Sequence, residues 1–230
     1  MNLIKMKIMS TNNKIYLVNH SNFFDKIIQK KRFEIVKLIN KLILKHKIRS
    51  VTDVGTTNDF YYESSNYIIR NILKLNSYKS ISDQKIDKND LFKMCLKKSI
   101  TKKLSEIEIK KFSSDLIISS ATIEHVGSQN NQINMIKNLI KLSKKLFIFT
   151  SPNRFYPIEF HTKLPLIHWL PKKIHRKILY FLGFKFFSKK KNLNILSSRE
   201  IKEIFKTINY DDYKILFLIK SNLVVIGFKN

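Results

Sequence analysis

The sequence predicts an α/β fold, with helices on both faces of a mostly parallel sheet whose last strand is antiparallel. Short β-branched runs alternate along most of the chain with segments whose apolar residues recur at helical spacing. The last two apolar runs are separated only by Ser221-Asn222, a connection so short that it predicts an antiparallel hairpin. The 230 residues, 43% of them hydrophobic, suffice for one domain with one elaboration.

The first half of the chain shows the expected alternation until about residue 85. An amphipathic helix is predicted over residues 23–46, and the apolar residues that follow, closed by Gly55, predict a buried strand over 48–54. A helix capped by Ser64 or Ser65 should run to about residue 75, and a second strand should cover 78–81. Residues 85–112 have a weak pattern, which we interpret as a helix near 91–96 and a third strand between 99 and 109.

The second half is predicted to hold strands over residues 115–120, 145–150, 214–220 and 223–228, and helices over 129–142, 172–182 and 198–207. All four prolines fall within residues 152–171, which indicates an irregular excursion before the basic helix at 172–182. We therefore expect an N-terminal helical region at 1–47 and one domain at 48–230 with an insert at about 152–195.

The net charge of +27 raises the possibility of a nucleic-acid partner. Six of the 44 basic residues are arginine, so lysine supplies the other 38, although bidentate phosphate recognition favours arginine. The lysines are spread along the whole chain, and residues with AT-rich codons are abundant throughout. Genome base composition explains this pattern more simply than nucleic-acid binding does.

The remaining composition favours the cytoplasm. Lysines interrupt the apolar residues of the N-terminus, so no secretory signal is expected there, and no apolar run reaches the ~18 residues of a membrane span. The single cysteine, Cys95, cannot form an intramolecular disulfide and is expected to be a buried small hydrophobic residue.

The segment Asp53-Val54-Gly55 ends the first predicted strand and begins the loop after it. In open α/β sheets, ligands bind beyond the carboxyl ends of the strands, and the loop after the first strand commonly contacts them. Glycine at this position can adopt a positive φ and lets the backbone approach a ligand closely. Taken alone, the same triplet also fits an ordinary turn.

Four segments resemble the small-molecule branch of the class I S-adenosylmethionine-dependent methyltransferases, with a type 11-like domain. VTDVGTTND at 51–59 is similar to the DxGxG-type cofactor loop of this family, and SDLIISSATIEHVG at 114–127 is similar to its fourth-strand motif. FIFTSPNRFYPIEFHTKLPLIHWLP at 147–171 resembles the fifth strand and the insert that follows it, and the terminal hairpin resembles the last two strands. The resemblance covers most of residues 48–230.

The resemblance implies S-adenosyl-L-methionine as the cofactor. Asp53 would orient the methionine ammonium, the Gly55 backbone would border the methionine moiety, and Asp83 would accept hydrogen bonds from the ribose hydroxyls, with Asp87 as an alternative. The complete set of cofactor-binding residues that the resemblance implies is Asp53, Gly55, Thr56, Asp83 and Glu124.

The sequence departs from the family pattern in the cofactor loop. Thr57 and Asn58 or Asp59 stand where further glycines are common, so the loop should be less sharply wound or should place Asn58 in a left-handed conformation. The acidic residue that often contacts adenine is not evident, and Glu106 and Glu108 are only possibilities. The missing glycines also argue against a dinucleotide, whose pyrophosphate needs them.

Few residues need be catalytic, because methyl transfer from a sulfonium mainly requires alignment of the acceptor and removal of a proton. His125 is one candidate base, or a structural residue bonded to nearby backbone, and His161 in the insert is the alternative. The insert could cover the active site or form a surface excursion packed through its aromatic residues. No metal site is expected, because His161 and His168 lack close ligand spacing.

These features favour methyl transfer to a small-molecule, glycan or lipid-intermediate acceptor. An RNA methyltransferase, supported by charge alone, and a non-catalytic cofactor-binding module are the alternatives. Residues 172–191 combine a basic face with apolar residues and could contact an anionic membrane surface, or pack on the core with solvated lysines. The sequence identifies no protein partner.

Overall fold

A computed structural model describes residues 22–60, 65–87, 90–218 and 220–229, with side chains from residue 28 onward. Residues 1–21 of the predicted N-terminal region and Ser64, one of the two proposed helix caps, lie outside these ranges. The strands are β1 Ser50–Val54, β2 Ser77–Ser82, β3 Met94–Lys97, β4 Ser114–Ser120, β5 Ser143–Pro152, β6 Tyr213–Leu218 and β7 Asn222–Phe228. The helices are α1 Asn22–Lys45, α2 Tyr67–Asn71, α3 Glu106–Phe112, α4 Gln129–Leu142, α5 Lys172–Phe181 and α6 Ser198–Thr207.

The seven strands form one sheet in the order β3-β2-β1-β4-β5-β7-β6. The pairs from β3 to β5 are parallel, whereas β7 runs antiparallel to both β5 and β6. The predicted α/β class and the antiparallel last strand are therefore confirmed. The order reverses between β1 and β4, which is where open α/β sheets bind ligands.

The core has two layers, one on each face of the sheet. Alternate residues of β5 supply both: Phe147 and Phe149 pack with Phe205 of α6 on one face, while Leu146 and Ile148 pack with residues of α1 on the other. Since successive strand residues point to opposite faces, an uninterrupted apolar run is the pattern of a strand covered on both sides. Among the described helices, none is both long and apolar enough to cross a bilayer.

The third strand was predicted in the wrong place. The observed strand is β3, Met94–Lys97, where a helix was expected, and residues 106–112 form α3. Strand β3 lies at the sheet edge with mostly exposed side chains, so it lacks a buried face that would give an apolar pattern. Cys95 lies on this strand and is exposed, so its predicted burial was also wrong.

Helix α2 is shorter than predicted, ending at Asn71 instead of near residue 75. The chain after it is held by other elements, because the Leu73 amide donates to Asn40 Oδ1 of α1 and the Leu75 amide donates to the Tyr78 hydroxyl of β2. These bonds replace the helical hydrogen bonds that an extension of α2 would have made.

Candidate functional site

The candidate site lies at the carboxyl ends of β1 and β4. Gly55, directly after β1, has a φ of +92°, a backbone conformation that favours glycine. A Cβ at this position would overlap the side chain of Thr122, which follows β4. Glycine is therefore required where the loop after β1 passes the loop after β4, and this contact brings the two predicted motifs together.

Asp53 is a buried carboxylate near the end of β1, with 7% of its surface exposed. Its Oδ2 accepts a hydrogen bond of 2.6 Å from Thr56 Oγ1, and Thr56 is in turn held by Ser80 Oγ, which donates to Thr56 Oγ1 at 2.9 Å. Burial raises the pKa of Asp53 to about 6, although the bond from Thr56 opposes the shift. Thr56 thus positions Asp53 and is buried itself.

Asparagine side chains hold the loop in the absence of further glycines. Asn66 accepts from the Thr57 amide at 3.0 Å and donates to the Thr57 carbonyl at 2.9 Å. Asn58 accepts from the Asp87 amide, and its own amide donates to Gln84 Oε1, which ties the loop to the segment after β2. The left-handed residue is Asn66, with a φ of 52°, so the left-handed conformation suggested for Asn58 was wrong.

The acidic candidates for the nucleoside part occupy different positions. Asp83 is exposed and directly follows β2 at the ligand-binding edge, so its assignment to the ribose stays a prediction. Glu106 and Glu108 lie on α3, a separate element that begins well after the end of β3. Glu108 forms a capping box with Ser105 and an ion pair of 2.6 Å with Lys98. Its carboxylate is therefore engaged in contacts within the protein.

A second polar cluster forms where the insert meets the segment after β4. Glu124 and His125 lie in a 3-10 helix, Ile123–His125, and His161 comes from the insert. The Nε2 atoms of His125 and His161 are 3.2 Å apart. The Nδ1 atom of His161 lies 2.5 Å from Glu159 Oε1. The insert therefore packs against the segment that follows β4, and its role as a cover of the active site stays a prediction.

Glu159 and His161 form a buried ion pair. Burial alone would raise the pKa of Glu159, but the charge and hydrogen bonds of His161 outweigh it and hold that pKa well below its usual range. Burial likewise opposes the charged form of His161, yet Glu159 raises the pKa of the imidazole. Glu159 Oε2 also accepts from the amide and hydroxyl of Thr162, at 2.7 and 2.8 Å.

Burial disfavours the charged forms of the other two members of the cluster. Desolvation, together with the charge of the nearby His161, lowers the pKa of His125 to about 4. Desolvation raises the pKa of Glu124 to about 7, against the opposing charge of His161. His125 Nδ1 lies 2.7 Å from the carbonyl oxygen of Asn192, so the backbone bond that one interpretation proposed is present.

The sequence analysis missed part of this cluster. Glu159, Asn192 and Asn194 were given no role, although the backbone amide of Asn194 donates to the Glu124 carbonyl at 2.7 Å. The available signal was Asn194 itself, a polar residue within the otherwise apolar run LNIL. The histidine pair weighed for metal binding, His161 and His168, is not the pair that meets, because His168 Nε2 lies 2.7 Å from the Tyr156 carbonyl oxygen.

Comparison with known proteins rests on structure alone, since no protein-family model and no curated protein matches the chain. Magnesium protoporphyrin IX methyltransferase from Synechocystis PCC 6803, with bound SAH, matches with a TM-score of 0.52 and 12% identity over 94% of this chain and 91% of that one. The small RNA methyltransferase HEN1 matches with a TM-score of 0.56 and 12% identity over 93% of this chain and 27% of that one.

A third match is an O-methyltransferase family protein from Burkholderia thailandensis, with a TM-score of 0.53 and 10% identity over 90% of this chain and 58% of that one. The fold is that of the class I methyltransferases. In this fold, Asp53 and Gly55 lie at the carboxyl end of the first strand, and Glu124 and His125 follow the fourth strand. These are the positions that the motif resemblance implied.

Proposed function

We propose that the protein is an S-adenosylmethionine-dependent methyltransferase that acts on a small-molecule, glycan or lipid-intermediate acceptor. The observation that carries the proposal is the pairing of two features at one sheet edge in a methyltransferase fold. One is the buried carboxylate of Asp53, two residues before a positive-φ glycine, and the other is the cluster that Glu124 and His125, after β4, form with His161 of the insert.

The cofactor side of the site fits this ligand. Asp53 is charged at neutral pH only against the cost of burial, and among the described residues no cation forms an ion pair with it. The ammonium of a bound methionine moiety would compensate that charge. Asp83, exposed beyond β2, would accept hydrogen bonds from the ribose hydroxyls. When bound, the cofactor supplies a methyl group already activated on a sulfonium.

The acceptor side is the histidine cluster. The contact between Gly55 and Thr122 places the 3-10 helix carrying Glu124 and His125 next to the cofactor loop, since the His125 amide donates to the Thr122 carbonyl at 2.9 Å. The imidazole Nε2 atoms of His125 and His161 are the groups that would meet the proton of an acceptor hydroxyl or amine. The insert would exclude water from this side of the site.

Calorimetric titration with S-adenosylmethionine tests the proposal through its pH dependence. Asp53 is ionised above pH about 6 and neutral below it, so binding is expected to be strongest above pH 7. It should weaken by up to about tenfold for each pH unit below 6, because the protonated acid cannot pair with the ammonium. No binding at millimolar S-adenosylmethionine would refute the proposed function. An affinity that does not change between pH 5 and pH 8 would refute the role of Asp53.

A lipid-linked acceptor is favoured by one exposed surface of the insert. We define the insert face as the exposed apolar side chains Leu166, Trp169, Leu170, Ile174, Tyr180, Phe181 and Leu182. Phe181 is 83% exposed, and Lys173 and Lys177 of α5 are exposed in the same segment. Apolar side chains flanked by lysines are typical of helices that lie on anionic membranes.

The insert face is therefore expected to bind anionic vesicles, and the double variant Ile174→Ser/Phe181→Ser is expected to lose most of this binding. Two large apolar side chains would otherwise enter the headgroup region, which stabilises binding by roughly 1.5–3 kcal/mol each. Cosedimentation with vesicles of phosphatidylglycerol, compared with phosphatidylcholine alone, measures the effect. Phe217→Ser, a matched control at an exposed residue of β6, should bind like the wild type. If the double variant bound the vesicles as well as the wild type, the insert face would be excluded as the membrane-binding surface.

A further inference from the structure

Three ligand-forming side chains converge at one point of the cluster. Glu124, His125 and His161 each offer an atom that lies within 4.8 Å of the other two. Glu124 is fully buried, and neither of its carboxylate oxygens has a hydrogen-bond partner among the described residues. A buried carboxylate without a partner is costly, so the described residues leave Glu124 in need of a further group.

The two imidazoles direct their Nε2 atoms toward each other. His125 Nδ1 faces the Asn192 carbonyl oxygen, which only accepts, so this nitrogen carries the proton and donates. His161 Nδ1 likewise donates to Glu159 Oε1. Nε2 is then the atom of each ring that can bind a ligand, and these two atoms are only 3.2 Å apart. A cation bound there would take the place of the Nε2 proton that the ion pair with Glu159 gives to His161.

Two buried carboxylates of the cluster can balance the charge of a divalent ion. Glu124 is 0% exposed and Glu159 is 2% exposed, so both carboxylates are shielded from water. A divalent cation would displace the protons of Glu124 and His161, and the two carboxylates would then neutralise its charge, which is the condition for burying charges at low cost.

We propose that Glu124, His125 and His161 bind a divalent transition-metal ion. Two imidazole nitrogens and one carboxylate suit ions such as Zn²⁺, Co²⁺ and Mn²⁺. Histidine ligands of metals usually donate their second N–H to a carboxylate or a backbone carbonyl, and Glu159 and the Asn192 carbonyl are those partners here. Three protein ligands leave a coordination position open to solvent or substrate.

If the proposed function holds, an oxygen of the methyl acceptor would bind at the open coordination position. The cation would lower the pKa of the acceptor's hydroxyl, so the imidazoles would not have to remove its proton themselves. This favours a hydroxyl over an amine as the methyl acceptor. Binding of the cation itself does not depend on methyl transfer.

Titration of chelator-treated protein with Co²⁺ tests the site, using protein without a histidine tag. One equivalent should bind and give the visible absorption of Co²⁺ with nitrogen ligands. His161→Ala and Glu124→Gln should each weaken binding by more than about tenfold, since even outer partners contribute that much. His46→Ala is the matched control, because His46 precedes β1 at the opposite edge of the sheet, and it should bind Co²⁺ like the wild type.

Thermal unfolding keeps the test valid if a variant is less stable. Zn²⁺ should raise the midpoint of the wild type and of His46→Ala, but not that of Glu124→Gln, because only a folded-state ligand shifts this equilibrium. Absence of stoichiometric Co²⁺ binding at millimolar concentration would overturn the proposal, as would unchanged binding in both ligand variants. Neither result bears on S-adenosylmethionine titration of the metal-free protein, which tests the proposed function separately.

Discussion

Replacing Asp53 with asparagine is expected to stabilise the ligand-free protein and to remove most of its affinity for S-adenosylmethionine. Burial raises the pKa of Asp53 from 3.8 to about 6, so ionisation at pH 7 costs the folded state about 3 kcal/mol relative to the unfolded chain. Since the folded pKa is the higher one, this cost appears as the pH rises from about 4 to 6. An amide has no such cost and still accepts the bond from Thr56.

Binding should change in the opposite direction. Removing one partner of a buried, hydrogen-bonded charge pair costs about 2–5 kcal/mol, which corresponds to a loss of roughly thirtyfold or more in affinity. Urea unfolding at pH 7.5 and calorimetry with S-adenosylmethionine measure the two effects. Asp115→Asn is the control, because Asp115 accepts from the Arg49 amide at the opposite edge of the sheet. A variant of Asp53 that binds the cofactor as tightly as the wild type would contradict the assignment.

The fold was predictable where strands are buried on both faces. The runs DLIISS and KLFIFT became β4 and β5 because central strands need apolar residues at nearly every position. The run MCLK carries no such signal, since β3 lies at the edge of the sheet. The start of α3 was readable all the same, because Ser105 and Glu108 have the spacing of a capping box.

The site was predictable only where its residues are close in sequence. Asp53 and Gly55 follow directly from their position at the end of a strand. His125 and His161 are 36 residues apart and His125 and Asn192 are 67 apart, so their contacts depend on how the insert folds back. No local pattern encodes this path. The sequence analysis considered His161 only beside His168, its neighbour in sequence, whereas in the structure His161 meets His125.

Replacing Glu159 with alanine is expected to destabilise the protein by about 3–5 kcal/mol, the usual cost of breaking a buried ion pair. Glu159 accepts four hydrogen bonds, from the ring and amide of His161 and from the amide and hydroxyl of Thr162. Alanine leaves these donors unpaired in a region shielded from water. Urea unfolding monitored by circular dichroism measures the change. Glu203→Ala, at an exposed position on α6, should stay within about 0.5 kcal/mol of the wild type.

Two further measurements separate a local role of Glu159 from general unfolding. Glu159→Gln keeps one of the two acceptor oxygens, for the amide of either His161 or Thr162, so it should lose less stability than the alanine variant. S-adenosylmethionine affinity should remain near the wild-type value in the glutamine variant, because the Asp53 loop is held by Thr56, Ser80 and Asn66 without any contribution from the insert. If Glu159→Ala were as stable as Glu203→Ala, the ion pair would not hold the insert over β4, and the position of His161 in the site would lose its physical basis.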